Sequence, residues 1–132
     1  MRMFALFLLV ATSTSALAQS APPRSVGKDL MVKALPDIAG KEAVVRANVY
    51  PPGTANPPHR HDAHVFVHLL EGQLVVQLKG KEPVTLNPGD TYYEAPDDIH
   101  MVSRNPSDRV AAKALIFTVK NIGVPATTLV KD

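Results

Sequence analysis

Twelve prolines punctuate the chain, and they separate short runs of apolar and β-branched residues. Proline cannot donate a backbone hydrogen bond and interrupts a helix, so these runs do not continue as long helices across the prolines. Valine, isoleucine, threonine and aromatic residues, which favour strands, are common between the turn signals. The spacing therefore predicts an all-β chain of short strands and tight turns.

The predicted strands lie between these turn signals, at residues 30–35, 43–50, 64–70, 74–78 and 115–119. The last of them follows an Ala-rich stretch that begins at Val110, where a helix is the alternative. Turn signals at Glu71-Gly72, at residues 79–82 and at residues 87–90 indicate successive hairpins. Seven or eight such strands predict a sandwich or a barrel, because either arrangement removes exposed strand edges.

The first residues are typical of a secretory signal peptide. Arg2 supplies a positive start, residues 4–10 are apolar, and Ala16 and Ala18 form a small-x-small cleavage site. The alternative, a membrane anchor, requires a longer apolar stretch. We predict a signal peptide over residues 1–18, a flexible segment over residues 19–29, one domain over residues 30–132, and an exported protein that is periplasmic or secreted.

Charge and cysteine content exclude several classes of function. Removal of Arg2 lowers the basic count from 14 to 13 against 12 acidic residues, and a net charge of about +1 is too small for electrostatic capture of nucleic acid. No later segment is apolar enough to span a membrane. Without cysteine, any metal site must use histidine, carboxylate or water.

Four of the five histidines, His59, His61, His64 and His68, fall within ten residues, and His100 follows a later turn. Side chains alternate faces along a strand, so His59 and His61 point the same way and can offer two imidazoles to one ion. His100 can supply a third if its hairpin folds back. The alternative is a merely polar strand face. The stiff, proline-rich residues 50–58 favour a rigidly placed site.

Five positions fall at the spacing of a known motif, G-x5-H-x-H-x3,4-E-x6-G: Gly53, His59, His61, Val65 and Gly72. This is the first motif of the cupins, and the chain resembles that family of small β-barrels over residues 43–119. The second motif, G-x5-P-x-G-x2-H-x3-N, is matched at Gly89 and His100. It is not matched at Ala95, Asp97 and Arg104, while Pro96 and Asn105 stand one place late. The resemblance implies an all-β, single-domain, jelly-roll-like cupin barrel.

The resemblance also implies a divalent metal ion held by His59, His61 and His100. Iron, zinc, manganese, copper, cobalt and nickel all remain open. Val65 replaces the motif glutamate and cannot coordinate an ion. Glu94, which precedes His100, is the predicted catalytic residue, as a base or as a replacement ligand.

Other side chains near the motifs are less suited than Glu94 to act as a base or as the missing ligand. His64 is the other candidate for the missing ligand, but strand parity directs it to the opposite face unless a bulge intervenes. His68 is expected in the core or an interface, and Tyr92 and Tyr93 in the walls. Residues 64–70 are apolar on both faces, so a second sheet or a second subunit should cover them. The resemblance favours a homodimer.

Two functional interpretations follow. The first is a periplasmic metal-binding cupin that acts on a small oxygen-rich organic substrate by dioxygenase, isomerase or lyase chemistry. The alternative is a non-catalytic cupin that binds or senses a small molecule or a metal. A metal-free structural cupin is a third possibility. Neither nucleic acid nor, after signal cleavage, a membrane is expected as a partner.

Overall fold

A computed structural model describes residues 20–131, and the predicted signal peptide lies outside them. The described residues form eleven strands: β1 (Val26–Ala34), β2 (Lys41–Tyr50), β3 (Ala55–Asn56), β4 (His59–Arg60), β5 (Ala63–Glu71), β6 (Leu74–Leu78), β7 (Val84–Leu86), β8 (Thr91–Glu94), β9 (His100–Arg104), β10 (Ala112–Asn121) and β11 (Thr128–Leu129). No helix that could cross a membrane occurs within this range. Eight of these strands have at least three residues, and the three two-residue strands, β3, β4 and β11, are additional to the seven or eight predicted.

The strands form two antiparallel sheets. One has the order β1-β2-β10-β5-β8, and the other has the order β11-β4-β9-β6-β7 with β3 beside β9. Both sheets contribute to one core of apolar side chains: Tyr50, Ala63, Val65, Val67, Leu69, Leu74, Val76, Leu86, Ala112, Ala114 and Ile116. The predicted all-β, jelly-roll-like architecture is confirmed.

Alternating burial shows that β5 and β10 each turn one face toward the core. In β5, Val65, Val67 and Leu69 are buried, whereas the residues between them are exposed. β10 repeats this pattern. A period of two residues buries one face of a strand against the opposite sheet, so these sequences specify strands and fix their register. The Ala-rich start of β10 is strand rather than helix for the same reason.

Two boundaries differ from the sequence prediction. Val26–Ala34 forms a continuous strand with β2, so β1 begins inside the segment that the sequence predicts to be flexible. Pairing stabilises it despite a register shift between Asp29 and Met31. β4 contains only two residues, so His61 lies beyond its end.

Asn105, which follows β9, forms hydrogen bonds with the end of β2 and with the segment that leads into β10. Its buried side-chain amide donates hydrogen bonds to the carbonyls of Tyr50 (3.0 Å), Pro51 (3.3 Å) and Val110 (2.8 Å), and its Oδ1 accepts one from the Ser107 amide (3.0 Å). These contacts satisfy backbone groups that the ends of β2 and β10 leave unpaired. The asparagine that stands one place late in the motif therefore has a structural role.

Gly72 is required at the turn between β5 and β6 for two reasons. Its φ is +73°, and an added Cβ would lie 2.7 Å from the Ala111 carbonyl oxygen and 2.8 Å from Ala112 Cα. Gly80 has nearly the same backbone conformation, with φ +78°, but nothing lies within 4 Å of the position that a Cβ would take there. A comparison of substitutions at Gly72 and Gly80 therefore distinguishes the effect of backbone strain from the effect of steric overlap.

We expect Gly80→Ala to lower the free energy of unfolding by about 1 kcal/mol, because alanine disfavours a left-handed conformation. Gly72→Ala should cost roughly 2 kcal/mol more, because the new methyl group also forces the start of β10 to move. Urea titration of both variants measures the difference. Equal losses would show that the contact with Ala111 and Ala112 is unimportant.

Candidate metal centre

Three histidines meet on the inner side of the second sheet. β4 pairs with β9 so that His59 lies directly opposite His100, and His61 follows one residue after β4. One ring nitrogen from each lies within 4.8 Å of those from the other two. His59 and His100 are buried, and His61 is half-buried. The structure thus brings together the three residues that the sequence predicts as ligands.

Backbone carbonyls fix the ring orientation of two of these histidines. His59 Nδ1 lies 2.8 Å from the Pro57 carbonyl oxygen, and His61 Nδ1 lies 2.7 Å from that of Ala126. A carbonyl oxygen can only accept, so each Nδ1 carries the hydrogen and donates it. In the neutral rings, each Nε2 then keeps a free lone pair, as in metal sites whose ligands are oriented by outer hydrogen bonds.

His59 is also held in its neutral form. Burial lowers the pKa of His59 to about 4, although the Pro57 carbonyl opposes the shift. A neutral imidazole is the form that binds a cation. His59 therefore needs no deprotonation at neutral pH before it can act as a ligand.

His100 shows best that this cluster fits a metal ion. Both of its ring nitrogens are buried without a hydrogen-bond partner among the described residues. Glu94 Oε1 lies 3.2 Å from His100 Nδ1, but not along the direction that a ring N–H hydrogen bond requires. An unpartnered buried polar atom costs about 1–3 kcal/mol. Three imidazoles are a donor set suited to a divalent transition metal, which would satisfy such an atom.

Glu94 lies beside the histidines as a buried carboxylate on β8. Its Oε2 is 3.5 Å from His61 Nε2, in addition to the contact of Oε1 with His100. Burial by itself would raise the pKa of Glu94, but the contact with His100, with smaller effects of His61 and His59, outweighs burial and lowers the pKa. Glu94 is therefore ionised at neutral pH, as a general base must be.

A cavity of about 190 Å³ contains these groups. Exposed Arg24, Thr127 and Leu129 are among its lining residues and mark its opening. Its buried lining combines apolar side chains, among them Val65 and Leu74, with the polar side chains of the histidines, Glu94 and Ser103. Drug-sized ligands typically occupy about 300–1,000 Å³. This cavity therefore suits a smaller molecule, held by a few polar groups between apolar walls.

A profile described as a cupin domain matches residues 48–118, more than half of the chain. The protein belongs to the cupin family. No curated protein matches the sequence significantly. Among solved structures, the DMSP lyase DddQ from Ruegeria pomeroyi DSS-3 has a TM-score of 0.64 and 22% identity, and the match covers 80% of this chain and 51% of the lyase. This cupin thus spans about half the length of that enzyme.

Two further structures share the cupin fold. A cupin-2 domain protein from Rhodospirillum rubrum has a TM-score of 0.64 and 20% identity, with 89% of this chain and 73% of that chain covered. An oxalate oxidase solved in complex with glycolate has a TM-score of 0.62 and 19% identity, with coverage of 83% and 57%. At these identities the similarity establishes the fold and leaves the chemistry to the site.

The missing motif glutamate of this cupin has a counterpart on the neighbouring strand. β5 and β8 are paired so that Val65 lies opposite Glu94. Both side chains are buried and line the cavity. The cavity therefore contains a buried carboxylate from β8, one strand away from the motif position on β5, where Val65 carries none.

The other candidate residues lie outside the cavity. His64 and His68 are exposed on the outer face of β5, and His64 Nδ1 is hydrogen-bonded to the Tyr93 hydroxyl at 2.7 Å. Asp62 adopts a positive φ of 49°, yet this kink does not turn His64 inward. Strand parity therefore predicts the right face for His64. His68 is exposed, so a core position for it is wrong. Tyr92 packs against the core, whereas Tyr93 is exposed and does not form part of a wall.

Sequence reasoning missed Asn48 and Tyr50, which line the cavity from β2. The Asn48 side-chain amide donates to the Tyr50 hydroxyl at 3.3 Å. Burial raises the pKa of Tyr50, so the hydroxyl keeps its hydrogen and can donate it to a bound molecule. The signal was present in β2, where Arg46, Asn48 and Tyr50 alternate with apolar residues and therefore share one face.

Proposed function

We propose that this cupin is an exported metal-dependent enzyme that acts on a small oxygen-rich organic substrate. The observation that carries the proposal is the joint placement of three histidine nitrogens and a buried, ionised Glu94 in one small cavity. Perturbed titratable groups in a cavity are typical of active sites. Two of the structural neighbours, a DMSP lyase and an oxalate oxidase, are enzymes by description.

His59, His61 and His100 would hold the ion, and a divalent ion there would act as a Lewis acid that polarises a substrate oxygen. Glu94 would accept a proton from substrate carbon. The C–H bond breaks, the proton moves to a Glu94 carboxylate oxygen, and the electron pair stays on the substrate. In a lyase reaction that pair expels a leaving group from the adjacent carbon, and Glu94 returns its proton to that group or to water. In an isomerase reaction the pair is delocalised to another substrate atom, which takes the proton back from Glu94. We therefore favour lyase or isomerase chemistry over dioxygenase chemistry.

The remaining cavity residues would orient the substrate. The Tyr50 hydroxyl, held by Asn48, is available to donate a hydrogen bond to a substrate oxygen. Apolar walls, including Val65 and Leu74, limit the access of water to the reacting carbon. These groups complement a molecule that has oxygen atoms and a short carbon skeleton.

Replacement of Glu94 by glutamine tests its role as a base. Glu94→Gln keeps the side-chain size but removes the proton acceptor, so we expect a fall in turnover of about 10²- to 10⁴-fold with metal content retained. Turnover is followed by NMR over a panel of small hydroxy and carboxylic acids, and oxygen uptake is recorded alongside. Glu71→Gln, an exposed residue paired with Lys113, is the control.

Unchanged turnover in Glu94→Gln would contradict the assignment, and oxygen consumption during turnover would favour the dioxygenase alternative. Val65 at the motif glutamate position is the observation that favours a second function, non-catalytic binding of a small molecule or a metal. In that case each compound that binds would be recovered unchanged from incubation with the metal-loaded parent protein.

Export remains part of the proposal and is supported by the apolar run at residues 4–10 and the Ala16-x-Ala18 site. The mature chain would begin at Gln19. Intact mass measurement of the protein from the periplasm or the medium tests this directly. A mass that includes residues 1–18 would contradict signal cleavage.

We also propose a homodimer, formed through the outer face of the first sheet. Phe66, Leu70, Tyr93 and Phe117 are each 41–46% exposed there. The rings of Phe66 and Tyr93 are 5.1 Å apart, and those of Phe66 and Phe117 are 6.0 Å apart. Within residues 20–131, the second sheet covers only the inner face of β5. The sequence analysis predicts that either a second sheet or a second subunit covers the other face, so a second subunit is the cover that we propose.

The composition of this outer face favours a second copy as its occupant. A shallow depression at its centre has no Asp, Glu, Lys or Arg among its lining residues in the described chain. An uncharged aromatic surface can meet its own copy about a two-fold axis without charge repulsion. Burial of the two aromatic clusters against each other would remove apolar surface from water.

Phe117→Glu tests the dimer. Two such substitutions face each other across the proposed interface, so we expect the parent to sediment as a dimer and the variant as a monomer. Ile122→Glu, also at an exposed apolar residue but outside this face, should remain dimeric. Sedimentation velocity at micromolar concentration makes the comparison. A monomeric parent, or a dimeric Phe117→Glu variant, would contradict the proposal.

A further inference from the structure

Arg24 lies at the opening of the histidine cavity, on a segment that is fixed on both sides. The Pro23 carbonyl accepts a hydrogen bond from the Ala55 amide at 3.1 Å, and the Ser25 amide donates one to Asn56 Oδ1 at 3.0 Å. Asn56 returns a hydrogen bond from Nδ2 to the Ser25 hydroxyl at 3.0 Å. The backbone of Arg24 is therefore anchored to β3, although its side chain is exposed.

The charge of Arg24 has no acidic partner. No carboxylate in the described part of the chain forms an ion pair with it. The side chain of Arg46, on β2, by contrast contacts Asp29 at 2.6 Å and Asn48 at 3.2 Å. Among the described lining residues Arg24 is the only lysine or arginine.

We propose that Arg24 determines specificity by binding a carboxylate group of the substrate at the cavity opening. The planar guanidinium offers parallel N–H donors that match a carboxylate, and such bidentate pairs are stronger than neutral hydrogen bonds. The substrate class is then a short organic acid with a further oxygen that reaches the histidine cluster. Only one part of this inference rests on the proposed function, namely that the other end of the substrate binds at the histidine cluster.

The cavity itself favours a carboxylate on a short carbon chain over a free inorganic anion. Beyond the opening, Val65, Val67, Leu74 and Val76 give part of the buried lining an apolar surface, beside the histidines and Glu94. A carbon skeleton gains from contact with these side chains, whereas a phosphate ion would lose hydration there. A small acid can thus place its charged end at Arg24 and its carbon atoms against the walls.

Binding of defined probes to the metal-loaded full-length mature protein tests this inference. The probes are acetate, glycolate, malonate and succinate, the corresponding amides, and inorganic phosphate, each titrated by calorimetry at low and high salt. The variants are Arg24→Gln, which removes the charge, and Arg24→Lys, which keeps it without the planar fork. Arg109→Gln is the control, because Arg109 is exposed and does not line the cavity.

We expect Arg24→Gln to weaken binding of the preferred acid by about tenfold or more and to remove most of its salt dependence. Arg24→Lys should fall between parent and Arg24→Gln, and binding of the amides should be unchanged in all variants. Three results would overturn the inference: no probe acid binds the parent, Arg24→Gln binds acids within about twofold of the parent, or phosphate binds tighter than every acid.

The same samples distinguish failure of this inference from failure of the proposed function. Metal content is measured in each, and the titrations are repeated after treatment with a chelator. An effect of Arg24 in a parent that retains no metal after loading contradicts the metal-dependent function but supports the carboxylate assignment. If the parent retains metal but Arg24 has no effect on acid binding, the carboxylate assignment is contradicted and the metal-dependent function is not.

Discussion

The antiparallel pairing of β4 with β9 is the contact on which the site depends. It sets His59 opposite His100, two residues that are 41 positions apart in the chain. β4 has only two residues, so little ladder pairing holds this register. Neighbouring contacts reinforce it: β11 pairs with β4 on one side, and β6 pairs with β9 on the other. The histidine cluster is thus built from short strands that a larger sheet holds in place.

Near this pairing, buried polar side chains lie among the apolar side chains of the core. Leu69, Leu74 and Leu78 are almost fully buried and supply the hydrophobic stabilisation of the barrel. His100 and Glu94 are buried at 5% and 3% exposure beside them. Polar groups left imperfectly paired in such surroundings reduce stability, and this pattern is the one expected at a binding or catalytic site.

Much of the fold could be predicted because it depends on local patterns. The alternation in residues 64–70 determines which side chains of β5 face inward, and the turn residues determine the hairpins. His59 and His61 could be paired from their spacing along a strand. The family resemblance then supplies the barrel that brings His100 back to His59, a contact that no local pattern contains.

The parts that could not be predicted depend on distant contacts. Glu94 faces the cluster because β8 pairs with β5 in the register that sets Glu94 opposite Val65. The register between two distant strands cannot be predicted from the sequence of either strand alone. The same holds for the Ala126 carbonyl, 65 residues from His61. Arg24 belongs to a segment that the sequence predicts to be flexible, and only the hydrogen bonds of that segment to β3 place it at the cavity.

Metal content tests the central claim most directly. The mature protein, prepared without a histidine tag, is compared by elemental analysis with a His59→Ala, His61→Ala, His100→Ala variant, after both have been exposed to iron, zinc, copper, manganese, cobalt and nickel. Circular dichroism verifies that the variant keeps its strands. Stoichiometric divalent metal in the parent and none in the variant is the predicted result. Equal metal content in the two proteins, or none in either, would contradict it.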